Sequence, residues 1–123
     1  MSILGLLLLL QLKHLLADYF LQNQYMLRNR RIYGHPGGLL HVAIHVAGTA
    51  ACFYVFGIGG WLFAGLLIAE AVIHYHLDWS KDNFTQNREL GPTDPLYWYS
   101  MGVDQAMHHL TYIGMVWVWL IYQ

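Results

Sequence analysis

Four long apolar runs, each carrying metal-type ligands four residues apart, restrict this chain more than any other feature. The pairs are His14 and Asp18, His41 and His45, Glu70 and His74 (continued at Asp78), and Asp104 and His108. Residues four apart lie on one face of a helix, one turn above the other. An ionisable side chain at the centre of a membrane helix costs roughly 2.5–3.5 kcal/mol on insertion scales, and less towards the interface. Such residues are expected on the inner faces of a helix bundle, turned away from lipid.

The runs have membrane-spanning length, close to the twenty or so residues that a bilayer core requires. Helices are expected at about residues 3–22, 39–58, 61–79 and 103–122, joined by loops over 23–38 and 80–102. The chain is 57% hydrophobic and 11% charged, which places it in the membrane class. The expected fold is therefore all-α, an antiparallel four-helix transmembrane bundle forming one domain over residues 1–123. No positive charge precedes the Leu6–Leu10 run and no small-residue cleavage site follows it, so the first run reads as a retained helix rather than a signal peptide. Gly57-Ile-Gly-Gly60 permits only a tight reversal, making the second and third helices antiparallel neighbours. Cys52 is the single cysteine, which excludes an intramolecular disulfide and a Cys-based zinc motif. A net charge of -1 argues against a nucleic-acid partner.

The first and third loops hold Arg28, Arg30, Arg31, Lys81 and Arg88, every basic residue except Lys13. The positive-inside rule puts those loops in the cytoplasm and both termini in the periplasm. Alternating helix direction then sorts the polar residues by depth. Asp18, His41, Asp78 and Asp104 form an outer layer at the cytoplasmic end. His14, His45, His74 and His108 lie about 6 Å deeper, and Glu70 is one turn deeper still.

Carboxylates crowded at one depth repel one another, and a divalent cation removes that repulsion while taking neutral imidazole as a ligand. His14, Asp18, His41, His45, Glu70, His74, Asp78, Asp104 and His108 are the candidate ligands. Donors of this type without thiolate suit zinc first, then iron or manganese. His35, His76 and His109 fall off the shared faces and read as non-ligands. One intramembrane His or Asp taken alone is more often an interhelical hydrogen-bond partner. A purely structural network, however, leaves four matched pairs at one depth unexplained.

Two functional classes follow. In the first, the chain is a metal-dependent hydrolase acting at the cytoplasmic leaflet, on membrane lipid or a phosphorylated substrate. Glu70 or Asp18 is then the general base, and Lys81, Arg28 and Arg31 neutralise an anion. In the second, the His/Asp site is structural and the chain is a small non-enzymatic subunit of a larger membrane complex. A transporter fits less well, because no broken helix interrupts the middle of a span.

The segments His14-Leu-Leu-Ala-Asp18-Tyr-Phe-Leu-Gln22, His41-x3-His45, His74-x3-Asp78-x2-Lys81 and Asp104-Gln105-x2-His108 resemble a family of small bacterial integral-membrane proteins, catalogued as domain of unknown function 3307. The resemblance covers nearly the whole chain. It implies a bacterial inner-membrane location and adds Gln22, Lys81 and Gln105 to the residues of interest, but it implies no activity.

Overall fold

A computed structural model describes residues 2–123. The elements are α1 (Ile3–Leu15), a π-helical turn (Leu16–Phe20) that continues it, α2 (Gln24–Asn29), α3 (Pro36–Val55), α4 (Gly60–Asn87) and α5 (Pro95–Tyr122). No strand occurs among the described residues. The four long helices pack as a ring in which α1 touches α3 and α5, and α4 touches α3 and α5. Cross-contacts show that neighbours run antiparallel. Thr49 meets Glu70 while His41 meets Asp78, and Trp61 packs edge to face with Tyr122 while His74 meets His108.

Each helix turns one stripe inward, and every stripe changes character at the same level. On α4 the buried series is Leu62, Leu66, Glu70, His74, Asp78 and Asp82, one residue per turn. On α5 it runs from Met115 and Tyr112 to His108 and Asp104, and on α3 from Phe53 and Cys52 through Thr49 to His45 and His41. One end of the ring is therefore an ordinary apolar core of Leu6, Leu10, Cys52, Phe53, Leu62, Leu66, Tyr112 and Met115. The other end is lined with ionisable groups. The outside is the reverse, with Leu4, Leu8, Ile68, Val72, Leu110, Ile113 and Trp117 all exposed. An apolar exterior around an ionisable interior suits a chain solvated by lipid.

Three helices are long and apolar enough to cross a membrane: Ile3–Phe20, Pro36–Val55 and Gly60–Asn87. The fourth expected span, in α5, is not among them, because Asp104, Gln105, His108 and His109 dilute its apolar run.

The connections differ from the sequence expectation. α4 runs on to Asn87 rather than stopping near residue 79, and α5 starts at Pro95 rather than near 103. Ser80 to Asn87 contains no helix breaker, so the helix outlasts its apolar run, and Pro95 opens a helix where proline at the first position costs nothing. The long third loop thus shrinks to residues 88–94, closed by Gly91 N–H donating to Asp94 Oδ2 at 2.8 Å. Within 23–38, α2 forms under an Asn23 cap, with Met26 N–H donating to Asn23 Oδ1 at 3.0 Å. The reversal between α3 and α4 passes through Gly57 at φ +69°, a conformation that disfavours any side chain.

Candidate metal centre

Six of the nine expected ligand residues meet at the polar end of the ring. Asp18, His41, His45 and His74 bring one donor atom each to within 4.8 Å of one another, as do His74, Asp78 and His108. His74 belongs to both groups and joins them. The separations are short throughout: His45 Nε2 to Asp18 Oδ1 2.8 Å, His41 Nε2 to Asp78 Oδ2 3.2 Å, His74 Nε2 to Asp78 Oδ2 3.1 Å and His108 Nε2 to Asp78 Oδ1 3.4 Å. His41 and His74 approach Nε2 to Nε2 at 3.4 Å. Ligands on a tetrahedral zinc at about 2.0–2.1 Å stand roughly 3.3 Å apart, close to several of these separations.

The tautomer of His108 supports the same reading. His108 Nδ1–H donates to the Asp104 carbonyl oxygen at 2.7 Å, one turn back on its own helix. That bond leaves the Nε2 lone pair directed into the cluster, where it has no hydrogen-bond partner. Asp78 Oδ2 and His41 Nδ1 are likewise buried without a hydrogen bond. Orphaned donors and acceptors at the meeting point of four helices are costly unless something completes them. The residues present fit a divalent cation: three imidazoles and a carboxylate around His45, with two further donors beside them.

Asp18 reaches the centre through the π-helical turn. Leu21 N–H donates to Leu16 O at 2.9 Å, the five-residue spacing of such a turn, where a regular helix to residue 22 was expected. Gln22, just past it, holds the turn from both sides. Its Nε2 donates to Asp18 O at 2.8 Å, and its Oε1 accepts from Arg30 Nη1 at 2.9 Å.

The other three expected ligands lie beside the centre. Lys13 donates to Tyr112 Oη at 3.0 Å, the Tyr112 hydroxyl donates to His14 Nδ1 at 2.9 Å, and His14 Nε2–H donates to Gln105 Oε1 at 2.9 Å. Both ring nitrogens of His14 are thereby committed, and the ring acts as a strut that also touches Asp18. Glu70 sits one turn deeper, where its Oε1 accepts from Lys13 Nζ at 2.7 Å and from Thr49 Oγ1 at 2.9 Å. Asp104 stands on the α5 side, its Oδ2 accepting from Gln105 Nε2 at 3.2 Å and its Oδ1 unpartnered.

Among the expected anion-binding residues, Arg28 and Arg31 are exposed. Arg30, between them, is the one that turns inward. Its Nε and Nη2 donate to Asp82 at 3.0 and 3.3 Å, and its Nη1 lies 3.7 Å from Asp78. Burial opposes the Arg30 charge, but the Asp78 and Asp82 carboxylates outweigh it and hold the guanidinium above its ordinary pKa. Lys81 pairs with Asp82 at 2.7 Å. His35 caps α3 by accepting from Gly37 N–H, and His76 lies on the outer face beside Tyr33. His109 packs on His14 with ring centroids 5.0 Å apart and belongs to neither donor group.

Lys13, Arg30 and Asp82 are thus important buried charges absent from the sequence-derived site. Two of the three carried a signal. Asp82 continues the one-per-turn series of α4, and Lys13 interrupts an apolar run at the spacing of Leu6 and Leu10. Gly48 makes room for Lys13 to cross the ring: a Cβ there would fall 2.5 Å from Lys13 Cγ.

No curated protein and no solved structure matches the chain with significance. One family model, described as a protein of unknown function (DUF3307), matches residues 6–123. With nearly its whole length covered by that model, the chain belongs to the DUF3307 family.

Proposed function

We propose that this protein is an integral membrane protein whose buried histidine–aspartate centre binds a divalent cation, zinc in the first place and iron or manganese in the second, and uses it for hydrolysis at the cytoplasmic leaflet. The observation that carries the reading is the convergence of Asp18, His41, His45, His74, Asp78 and His108 from three long helices and a π-helical turn, with several separations close to ligand spacing and with orphaned donor atoms. In this reading all four long helices cross a bacterial inner membrane. α5 is carried by its antiparallel packing on α1 and α4, and both termini face the periplasm. Trp61 and Tyr122, edge to face with ring centroids 5.8 Å apart, then lie at the periplasmic interface.

A metal bound here supplies Lewis acidity and an activated water. The chain's own residues do the rest. His108 is held in the ligating tautomer by its helix carbonyl, and Arg30 with Gln22 fixes the π-helical turn that presents Asp18. Asp104, beside the centre with Oδ1 unpartnered, is the proton acceptor. Glu70, held by Lys13 and Thr49, anchors the inner wall instead.

A second reading has its own support. His41 and His45 are completely buried and His74 and His108 nearly so, and closed centres of this type are usually structural. The chain is then a non-enzymatic subunit of a larger membrane complex. Elemental mass spectrometry on detergent-purified protein tests the centre. One or two equivalents of metal, lost in His45→Ala/His74→Ala, are expected; no metal in the wild type overturns the proposal. Metal-dependent turnover separates the first reading from the second, for which a stoichiometric co-purifying partner is the expected sign.

A further inference from the structure

Two half-buried polar side chains at the seam between α1 and α5 belong neither to the donor groups nor to the struts around them, Gln11 and His109. Gln11 stands near the middle of the apolar span Ile3–Phe20. It lies one turn before His14, on the side of α1 from which His14 reaches Gln105 and Tyr112 of α5. His109 packs on the His14 ring with centroids 5.0 Å apart, which sets it within the depth of the same span. Its Nδ1 is sealed from solvent without a hydrogen-bond partner. The Gln11 carboxamide takes no part in the hydrogen-bond chain that joins Lys13, Tyr112, His14 and Gln105. Hydrocarbon satisfies neither group, and polar side chains in a span are expected to bond to a neighbouring helix.

The wall of α5 beside His109 is built for close approach. Gly102 and Ala106 are exposed, four residues apart and on the flank of His109 and the exposed Ile113. A Cβ on Gly102 would meet nothing within 4 Å, so packing within the chain gives no reason for glycine there. Small residues on a membrane helix admit a second helix at short range, where histidine or glutamine can bond across. We infer that this seam is the contact between two copies of the chain related by a two-fold axis. A neutral imidazole and a carboxamide each carry both a donor and an acceptor. The face is therefore complementary to itself, with Gln11 of each copy paired to His109 of the other. Gly102, Ala106, His109 and Ile113 include no carboxylate, ammonium or guanidinium, so two copies meet there without repulsion. The inference goes beyond the metal reading and rests only on the membrane surroundings of α1 and α5.

The experiment reconstitutes the full chain, fluorescently labelled at its C-terminus, in phosphatidylcholine liposomes at falling protein-to-lipid ratios. Subunits are counted by single-molecule photobleaching, with metal content measured on the same samples. Dimers are expected. Gln11→Leu/His109→Leu is expected to weaken them at least tenfold, read as the protein-to-lipid ratio at half dissociation. Gly102→Leu, at an exposed position with open space around it, weakens them similarly while leaving metal content unchanged. In a Cys52→Ala background, iodine oxidation is expected to join copies through Ala106→Cys at least fivefold more than through Ile68→Cys, on the exposed face of α4. Monomers at every ratio, equal cross-linking at the two positions, or a different protein bound stoichiometrically in place of the second copy overturns the proposal. Dimers without metal keep this contact and reject the metal centre; metal in a monomer does the reverse.

Discussion

Lys13 Nζ lies 2.7 Å from Glu70 Oε1, and both side chains are buried at the level where the apolar core gives way to the histidine layer. Two charges withdrawn from water are held there by each other, with Tyr112 Oη accepting from Lys13 and Thr49 donating to Glu70 Oε1, while Glu70 Oε2 has no partner. Breaking a buried pair from one side leaves an uncompensated charge and costs about 3–5 kcal/mol, whereas replacing both partners with apolar groups is often neutral. Lys13→Met alone is expected to lower stability by about that amount. Lys13→Met/Glu70→Leu is expected to recover most of the loss. Thermal or denaturant unfolding in detergent measures these and Glu70→Leu alone; a loss in the double variant equal to the sum of the two single losses would show that the pair is not coupled.

The histidines divide by what their ring nitrogens already do. His74 stands in both donor groups, while His14 spends Nδ1 on Tyr112 and Nε2 on Gln105. Elemental analysis should therefore find metal strongly reduced in His74→Ala and largely retained in His14→Ala. The reverse order would mean that His14 rotates out of its hydrogen bonds to ligate. His108→Ala is expected to fall between them, because only one of the two groups contains it.

How much of this was legible in the sequence follows from the chemistry of each residue. Helical periodicity alone aligns Asp18, His41, His45, His74, Asp78 and His108 on the inward stripes, and the structure brings the six together at one end of the ring. Periodicity could not say that His14 is consumed by Tyr112 and Gln105, since both partners come from α5, about ninety residues away. Nor could it choose Arg30 over Arg28 and Arg31, a choice made by the packing of the segment after α2 against α4. The helix ends were misplaced where bilayer length was used as a ruler: α4 and α5 both extend beyond their apolar runs.

The end of α4 is capped by a residue that suits it poorly. Leu90 N–H donates to Thr85 O at 2.9 Å, which closes the last turn with Glu89 at φ 52°, the left-handed conformation usually left to glycine. Side-chain crowding in that conformation costs an L-residue roughly 1–2 kcal/mol. Glu89→Gly is expected to stabilise the protein by about 1 kcal/mol, with part of the gain lost to the greater freedom of glycine in the unfolded chain. Unfolding in detergent reads the sign. A loss of stability would mean that the Glu89 side chain makes a favourable contact in the folded protein.

Arg30 and Arg31 are adjacent in sequence and opposite in environment. Arg31 is exposed, so Arg31→Gln should leave stability and metal content unchanged. Arg30 bridges Asp82, Asp78 and Gln22, and through Gln22 it steadies the π-helical turn that carries Asp18. Arg30→Gln removes the guanidinium from two buried carboxylates and should cost about 3 kcal/mol or more in stability. Arg30→Lys keeps the charge but loses the forked geometry, and should recover only part of that loss. If the centre binds a cation, the freed Asp78 and Asp82 add negative charge beside it. Arg30→Gln would then unfold more easily without metal yet gain more stability than the wild type when metal is added, because binding energy adds to folding energy. Metal titrations followed by thermal unfolding distinguish this pattern from a uniform loss. A uniform loss would place Arg30 in the scaffold alone, with no electrostatic influence on the centre.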